Sequence, residues 1–433
     1  MATSLTIGTL SCLLMIFCVL FKPQISVRGK VIDTYWVVIS AGALMMIISG
    51  CIDIKTVFSA LSADTAVNPL KILVLFICMT ILSVLLDEIG FFAYLANKSL
   101  GYAGKNQFKL FLILYITVSL LTIFTSNDII ILTFTPFICY FSKNAKINPL
   151  PYLVAQFIAA NTWSMMLIVG NPTNIYLATV YHVNFIYYIK IMVLPTVAAG
   201  IVAFVILWLF FRKHLSTPLS VCKTTAEIND IPMLIIGLIH LSVCTVILAA
   251  SSYLDIEMWS VSLISVISLF VFIFILSAFR RKKPVVITNC LKRAPWQLIP
   301  FVLSMFILIL ALDESGVTKL FSGLLGTDNT ILRYGFSSFL SANIINNIPM
   351  SVLFCSVIDA IPATLQIPAV FATVIGSNLG AFLTPIGALA GIMWTMILKK
   401  KDITYTYFDF LKYGFSVSVP SLLGALSVLG LEF

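Results

Sequence analysis

The stretch TSNDIIILTFTPF, Thr125 to Phe137, places a carboxylate, Asp128, beside the amide of Asn127 and the hydroxyls of Thr125 and Ser126, far from any polar loop. Three other stretches have the same character. GNPTN supplies Asn171, Thr173 and Asn174, and NIINNIP supplies Asn343, Asn346 and Asn347. The region from GSNLG to TPIG supplies Ser377, Asn378 and Thr384. All are short oxygen or amide donors and acceptors, fit to hold a small polar solute or a cation. Asp128 is the only carboxylate placed deep in an apolar region, and an ionisable side chain at such a place marks a functional site by default. Two chemistries suit it: exchange of a proton, or ligation of a metal cation. Taken singly, each residue is as well explained by capping or kinking a helix. Asp128 itself would suit the N-terminus of a helix starting at Ile129. Four such clusters in matched positions point instead to transport.

Composition says what must position these groups. The chain has 433 residues, 60% hydrophobic and 10% charged, whereas a soluble domain carries about 25% charged residues. It reads as an all-α polytopic membrane protein with no stretch polar and long enough to fold as an aqueous domain. The net charge of +9 sits in short loops, where Lys and Arg set orientation, and does not imply a nucleic-acid partner. Nine cysteines lack any CxxC pair, and most, such as Cys12, Cys78 and Cys355, fall in apolar runs as small packing residues. His182 and His214 lie at span ends, and His240 reads as a satisfied core histidine. No GxxxxGK[ST] phosphate cradle is present. The expected driving force is an ion gradient, with proton or sodium as coupling ion, or a separate ATPase subunit. Neither an enzymatic activity nor a resident cofactor or metal is assigned.

Apolar runs long enough to cross a bilayer fall near 3–21, 34–52, 69–88, 150–182, 187–211, 231–252, 258–279, 298–313, 367–398 and 404–430. The first reads as a retained transmembrane helix, because it lacks a basic n-region. The runs 150–182 and 367–398 are too long for one crossing and read as broken helices. Residues 108–141 and 330–358 each have two apolar arms of about 12–17 residues around a polar tip, a length marginal for crossing, and read as re-entrant hairpins. With hairpins that do not cross, 20 of the 26 Lys and Arg fall on one face. The positive-inside rule then puts both termini outside. Each half holds five spans and one hairpin, so the second half is inverted relative to the first. The expected fold is an inverted-topology repeat of about ten spanning helices, two re-entrant hairpins and two broken helices. Residues 1–211 form the first repeat, 212–230 a cytoplasmic linker and 231–433 the second repeat. DEIG (87–90) and DESG (313–316) are echoes of it. Such repeats mark secondary transporters with a midplane site, and non-helical backbone at that depth must line a cavity or be buried in protein.

At these residues the chain resembles a known group. TSNDIIILTFTPF, GNPTNIYLA, INNIP and GSNLGAFLTPIGALAGIMW together resemble the ion transporter superfamily, and more closely its arsenite permease and NhaD-type sodium/proton antiporter branch. Citrate and dicarboxylate carriers are its wider relatives. The resemblance implies motif positions at Ser126, Asn127 and Asp128, at Gly170, Asn171, Pro172, Thr173 and Asn174, and at Asn346, Asn347 and Pro349. In the second broken helix it implies Gly376, Asn378, Gly380, Thr384, Pro385 and Gly387. Gly170, Pro172, Pro349, Gly376, Gly380, Pro385 and Gly387 are expected as the structural breaks. Dicarboxylate carriers resemble one another in having Ser-Asn-Thr at both tips, whereas Asp128 ends the first tip here, and an anion would sit poorly beside an ionised Asp128. The resemblance therefore implies export of arsenite or antimonite in exchange for protons. The alternative is a sodium/proton antiporter or a sodium-coupled symporter of a small inorganic or carboxylate anion. The implied setting is a lipid bilayer, the prokaryotic plasma (inner) membrane, and relatives imply a homodimer.

Overall fold

The computed structural model describes residues 1–22, 24–27, 30–64, 68–218, 228–254 and 256–433. The expected linker therefore lies partly outside the described residues, as do Arg28 and Lys223, two of the 20 basic residues counted on one face. The first half runs α1 (Ala2–Phe21), α2 (Thr34–Ile48), α3 (Ile54–Ser62), α4 (Pro69–Glu88), α5 (Phe91–Ala103), α6 (Gln107–Phe124), α7 (Asn127–Ala145), α8 (Leu150–Trp163), α9 (Pro172–Val180) and α10 (Phe185–Leu215). The second runs α11 (Ile231–Leu254), α12 (Met258–Phe279), α13 (Val285–Arg293), α14 (Leu298–Glu314), α15 (Val317–Leu325), α16 (Thr330–Ile345), α17 (Asn347–Asp359), α18 (Ala363–Gly380), α19 (Leu389–Lys400) and α20 (Tyr407–Leu429). The order of long, short and interrupted helices in the first series recurs in the second. A short antiparallel hairpin, β1 (Gln24–Val27) with β2 (Lys30–Asp33), pairs Gln24 with Asp33 between α1 and α2.

Local chemistry fixes many of these ends. The side chains of Asn68, Asn106, Asn171 and Asn184 each accept from a backbone N–H in the first turn of α4, α6, α9 and α10. Each supplies a partner that a helix N-terminus otherwise lacks. Thr406 and Asp409 form a reciprocal capping box at α20. The two acidic echoes end α4 and α14 in the same way. Gly90 (φ +89°) and Gly316 (φ +77°) take left-handed conformations that glycine adopts freely, and their N–H groups donate to Asp87 and Asp313 carbonyls at 2.9 Å.

Nine helical segments among the described residues are long and apolar enough to cross a membrane. Of the α4 segment 83% is buried inside the protein, against 28% for the α1 and α11 segments. So α4 runs through the interior, and α1 and α11 turn most of their apolar surface outward, as a lipid-facing helix must. α16 packs along α18, α10 along α20, and α2 against α14.

Several elements differ from the sequence expectation. α3, α5, α13 and α15 fall between the expected spans and hairpins; at 9 to 13 residues they are too short for a search by spanning length to find. The arms of the first hairpin, α6 and α7, have 18 and 19 residues rather than 12–17, because helix persists to the edges of the polar tip. Only Thr125 and Ser126 are non-helical there, and α7 begins at Asn127 rather than Ile129. In the second hairpin Asn346 alone separates α16 from α17. Pro349 is not a break, since it lies in the first turn of α17, where a missing N–H costs nothing. Gly376 and Gly380 are not breaks either: both lie in α18, and a Cβ on Gly380 would come 2.6 Å from the Phe339 carbonyl oxygen. These glycines let α18 approach α16. The first interruption is longer than GNPTN, with 3₁₀ turns at Ser164–Met166 and Ile168–Gly170 between α8 and α9. The second covers residues 381–388 and includes Pro385 and Gly387.

Candidate functional site

Two polar seams and one tip with unpaired groups hold the sequence-predicted residues. The first seam joins the two interrupted helices. The Asn378 amide oxygen accepts from Ser164 Oγ and from Asn171 Nδ2, each at 2.9 Å, while its Nδ2 donates to Asn174 Oδ1 at 2.7 Å and to the Val374 carbonyl at 2.8 Å. Asn174 Nδ2 donates to the freed carbonyls of Ser164 and Leu167 at 2.8 and 3.1 Å. Asn171 Oδ1 accepts from the Thr173 N–H and hydroxyl, both at 3.2 Å. Every side chain in this seam is at most 1% exposed. The unwound residues 164–171 thus find partners in protein, as backbone at this depth requires.

The second seam ties hairpin two to the second interruption. Asn343 Nδ2 donates to the Gly380 carbonyl at 3.0 Å, and Thr384 Oγ1 donates to Asn343 Oδ1 at 2.7 Å. Asn346 Nδ2 donates to the Ile386 carbonyl at 2.9 Å, and the Asn347 N–H to the Gly387 carbonyl at 3.1 Å. Asn346 has φ +72° and ψ 154°, a backbone region that strains a residue with a Cβ by about 1–3 kcal/mol. These bonds hold it there. A Cβ at Gly387 would lie 2.7 Å from the Gly380 carbonyl oxygen and 2.9 Å from Asn343 Oδ1, so glycine permits the close approach.

The first tip is different. Asn127 Nδ2 donates to Asn161 Oδ1 at 3.0 Å, and Thr125 Oγ1 donates to the Leu121 carbonyl at 2.7 Å. Ser126 Oγ and Asn127 Oδ1 are buried without a protein partner. Ser126 stands at the N-cap of α7 yet makes no cap bond. Asp128, half-buried in the first turn of α7, has no hydrogen bond or ion pair with another described residue. Tyr35, at the start of α2, lies within its electrostatic reach. Three polar groups in succession are therefore unpaired, at the positive end of a helix. Ser377, across the interior in α18, also has a buried hydroxyl with no protein partner.

The sequence matches ND at 127–128 with NN at 346–347, and helix register changes that pairing. Asn127 and Asn347 both begin their helices, so Asp128 matches Ile348 rather than Asn347. The carboxylate has an apolar counterpart. The structure also adds residues that sequence reading passed over. Asn161 and Ser164 join the clusters, and a signal for Asn161 existed: it precedes Gly170 by nine residues, as Asn378 precedes Gly387. Asp87 and Glu88, read only as span ends, form a charged junction. Thr133 Oγ1 of α7 donates to Asp87 at 2.7 Å, Arg293 bonds both Asp87 and Glu88, and Asn289 donates to Glu88 at 3.0 Å. His240 contacts the Ile236 carbonyl at 2.8 Å and Ser268 at 3.1 Å, so it is satisfied within its own helix pair.

Apolar spans interrupted at polar, interlocking breaks define a polytopic helical membrane transporter. The family model described as citrate transporter matches residues 16–369. The chain belongs to this family. It is similar to the arsenical pump membrane protein of Escherichia coli, at 30% identity, covering 90% of this chain and 92% of that relative. It is also similar to the arsenical pump membrane protein of Yersinia enterocolitica, at 29% identity over 90% and 92% of the two chains. Among solved structures, the Alcanivorax borkumensis YdaH transporter shares the fold at 13% identity, with a TM-score of 0.52 over 99% of this chain and 97% of that one. The chain is a secondary transporter of the ion transporter superfamily.

Proposed function

We propose that this protein exports arsenite or antimonite in exchange for protons, with the first hairpin tip as the binding site. The observation that carries the proposal is the run of unpaired groups Ser126 Oγ, Asn127 Oδ1 and the Asp128 carboxylate. Arsenous acid is a neutral trihydroxide, rich in donors, and this tip is rich in acceptors. A buried acceptor left unpaired costs about 1–3 kcal/mol, which a bound hydroxyl would recover. A carboxylate-bearing substrate would instead meet like charge at Asp128. No cysteine belongs to the seams or the tip, so capture is by hydrogen bonds rather than by thiolate. The names of the arsenical pump relatives agree with this substrate class.

Exchange follows from one carboxylate serving two ligands. Ionised Asp128 accepts strongly from a solute hydroxyl; protonated Asp128 keeps only a weaker neutral acceptor and holds the solute less tightly. Proton and solute then compete for one group, which couples opposed fluxes. The reading includes an inverted repeat with both termini outside the plasma membrane, and re-entrant hairpins whose tips end at mid-depth. It also takes the chain as a homodimer, and leaves room for a separate ATPase subunit to act on the exposed cytoplasmic loops.

Purified protein in vesicles tests the substrate. An imposed proton gradient should drive arsenite or antimonite uptake into inverted vesicles with no requirement for sodium. Flux of citrate or sodium in place of arsenite would establish the sodium-linked alternative instead.

A further inference from the structure

A basic cavity lies away from both seams, where the start of α6 meets the last turn of α10. It has a volume of about 900 Å³, and its walls include Lys105, Gln107, Phe108, Trp208, Arg212 and Lys213. Among the described residues no acidic side chain lines it, and none of its three cations forms an ion pair with another described residue. Its floor is fixed. Gln107, 5% exposed, donates to Thr217 Oγ1 at 2.7 Å and accepts from the Tyr152 hydroxyl at 2.7 Å. Its rim is aromatic: Phe108 and Trp208, 37% and 39% exposed, pack edge to face with centroids 6.3 Å apart. Exposed aromatic rings one turn from a cluster of cations are the mark of the membrane–water boundary. The N–H groups at the start of α6 add positive potential on the same side.

We propose that this cavity is a binding site for the phosphate headgroup of an acidic phospholipid. Lys105, Arg212 and Lys213 would hold the phosphate oxygens, and Phe108 and Trp208 would flank the glycerol and first methylenes. Free phosphate would meet the same cations. However, the space far exceeds one such ion, and the aromatic rim opens toward the apolar flank of α6 and α10, where Ile116, Leu120, Ile201 and Val205 are exposed. Those features suit a headgroup with chains attached. Basic pockets between spanning helices recognise acidic lipids in this way.

The test is lipid retention by the purified full-length protein in native mass spectrometry, with phosphatidylglycerol and phosphatidylcholine supplied together. Wild type should retain phosphatidylglycerol preferentially. Each cation near a charged lipid contributes about fivefold, so the variant K105Q/R212Q/K213Q should lose that preference by about a hundredfold. Two controls separate this from misfolding or general charge loss. K282Q/K283Q removes two exposed cations elsewhere and should retain the preference, and so should the charge-preserving variant K105R/R212K/K213R. Unchanged retention in the glutamine variant would overturn the proposal. So would equal displacement of the lipid by glycerol 3-phosphate, which would make this a site for soluble phosphate.

Discussion

At the scale of single residues, the first seam and the first tip divide the work of structure and binding. Asn378 uses both ends of its amide on four partners from two interrupted helices. Asn378→Ala would leave the buried Asn171 Nδ2 and Asn174 Oδ1 unpaired, and should destabilise the protein by about 1–3 kcal/mol, read as a lowered unfolding midpoint in detergent. Ser126 makes no hydrogen bond through its hydroxyl. Ser126→Ala should therefore leave the unfolding midpoint unchanged while raising KM for arsenite about fivefold, the value of a hydrogen bond worth about 1 kcal/mol. A lowered midpoint would make Ser126 structural. Residue type and apolar context made the clustered groups legible in the sequence. Their pairing was not, because Asn378 meets Ser164, Asn171 and Asn174 across more than 200 positions.

At the scale of elements, close helix approach and loop latches set the positions of the tips. A side chain at Gly376 would run into the Gly335 carbonyl and Ser338 on α16. Gly376→Ala should push α18 away from α16, cost about 1–3 kcal/mol as overpacking does, and disturb the nearby Asn378 seam. Thermal unfolding and flux should fall together. On another edge, Lys71 bridges Asp64 and Glu257 at 2.5 and 2.6 Å. Hydrogen bonding to Lys71 holds both carboxyls below their ordinary range, with Trp259 also acting on Glu257. Because the folded values are depressed, the bridge contributes fully above the unfolded carboxyl range near pH ~4 and is lost as pH falls through the folded values. Hydrogen exchange at residues 256–260 should accelerate through that acid window, and Lys71→Met should already show the fast exchange at neutral pH. Spanning helices were legible because a bilayer demands about 20 apolar residues. The nine-residue α3 and α13 each bury one residue, Val57 and Cys290, and meet no such demand. Gly376 and Gly380 looked like breaks because glycine composition alone does not separate a turn from a tight helix contact.

At the scale of the whole molecule, the proposed opposite orientation of the two halves rests on the recurring helix order and the charge asymmetry of the sequence, and labelling tests it. In a background lacking native cysteines, a cysteine at Ile256 should react with an impermeant reagent added outside intact cells, and one at Lys282 should not. The reverse labelling would invert the orientation. The two tips differ at one position: Asp128 is the second residue of α7 and an apolar Ile348 the second residue of α17, so the first tip carries a carboxylate and the second does not. The most direct test records arsenite flux and proton movement simultaneously in vesicles, for wild type and Asp128→Asn. Wild type should move protons opposite to arsenite. Asp128→Asn should abolish net proton-driven flux while keeping the unfolding midpoint of wild type. Arsenite flux still coupled to protons in Asp128→Asn would contradict the account.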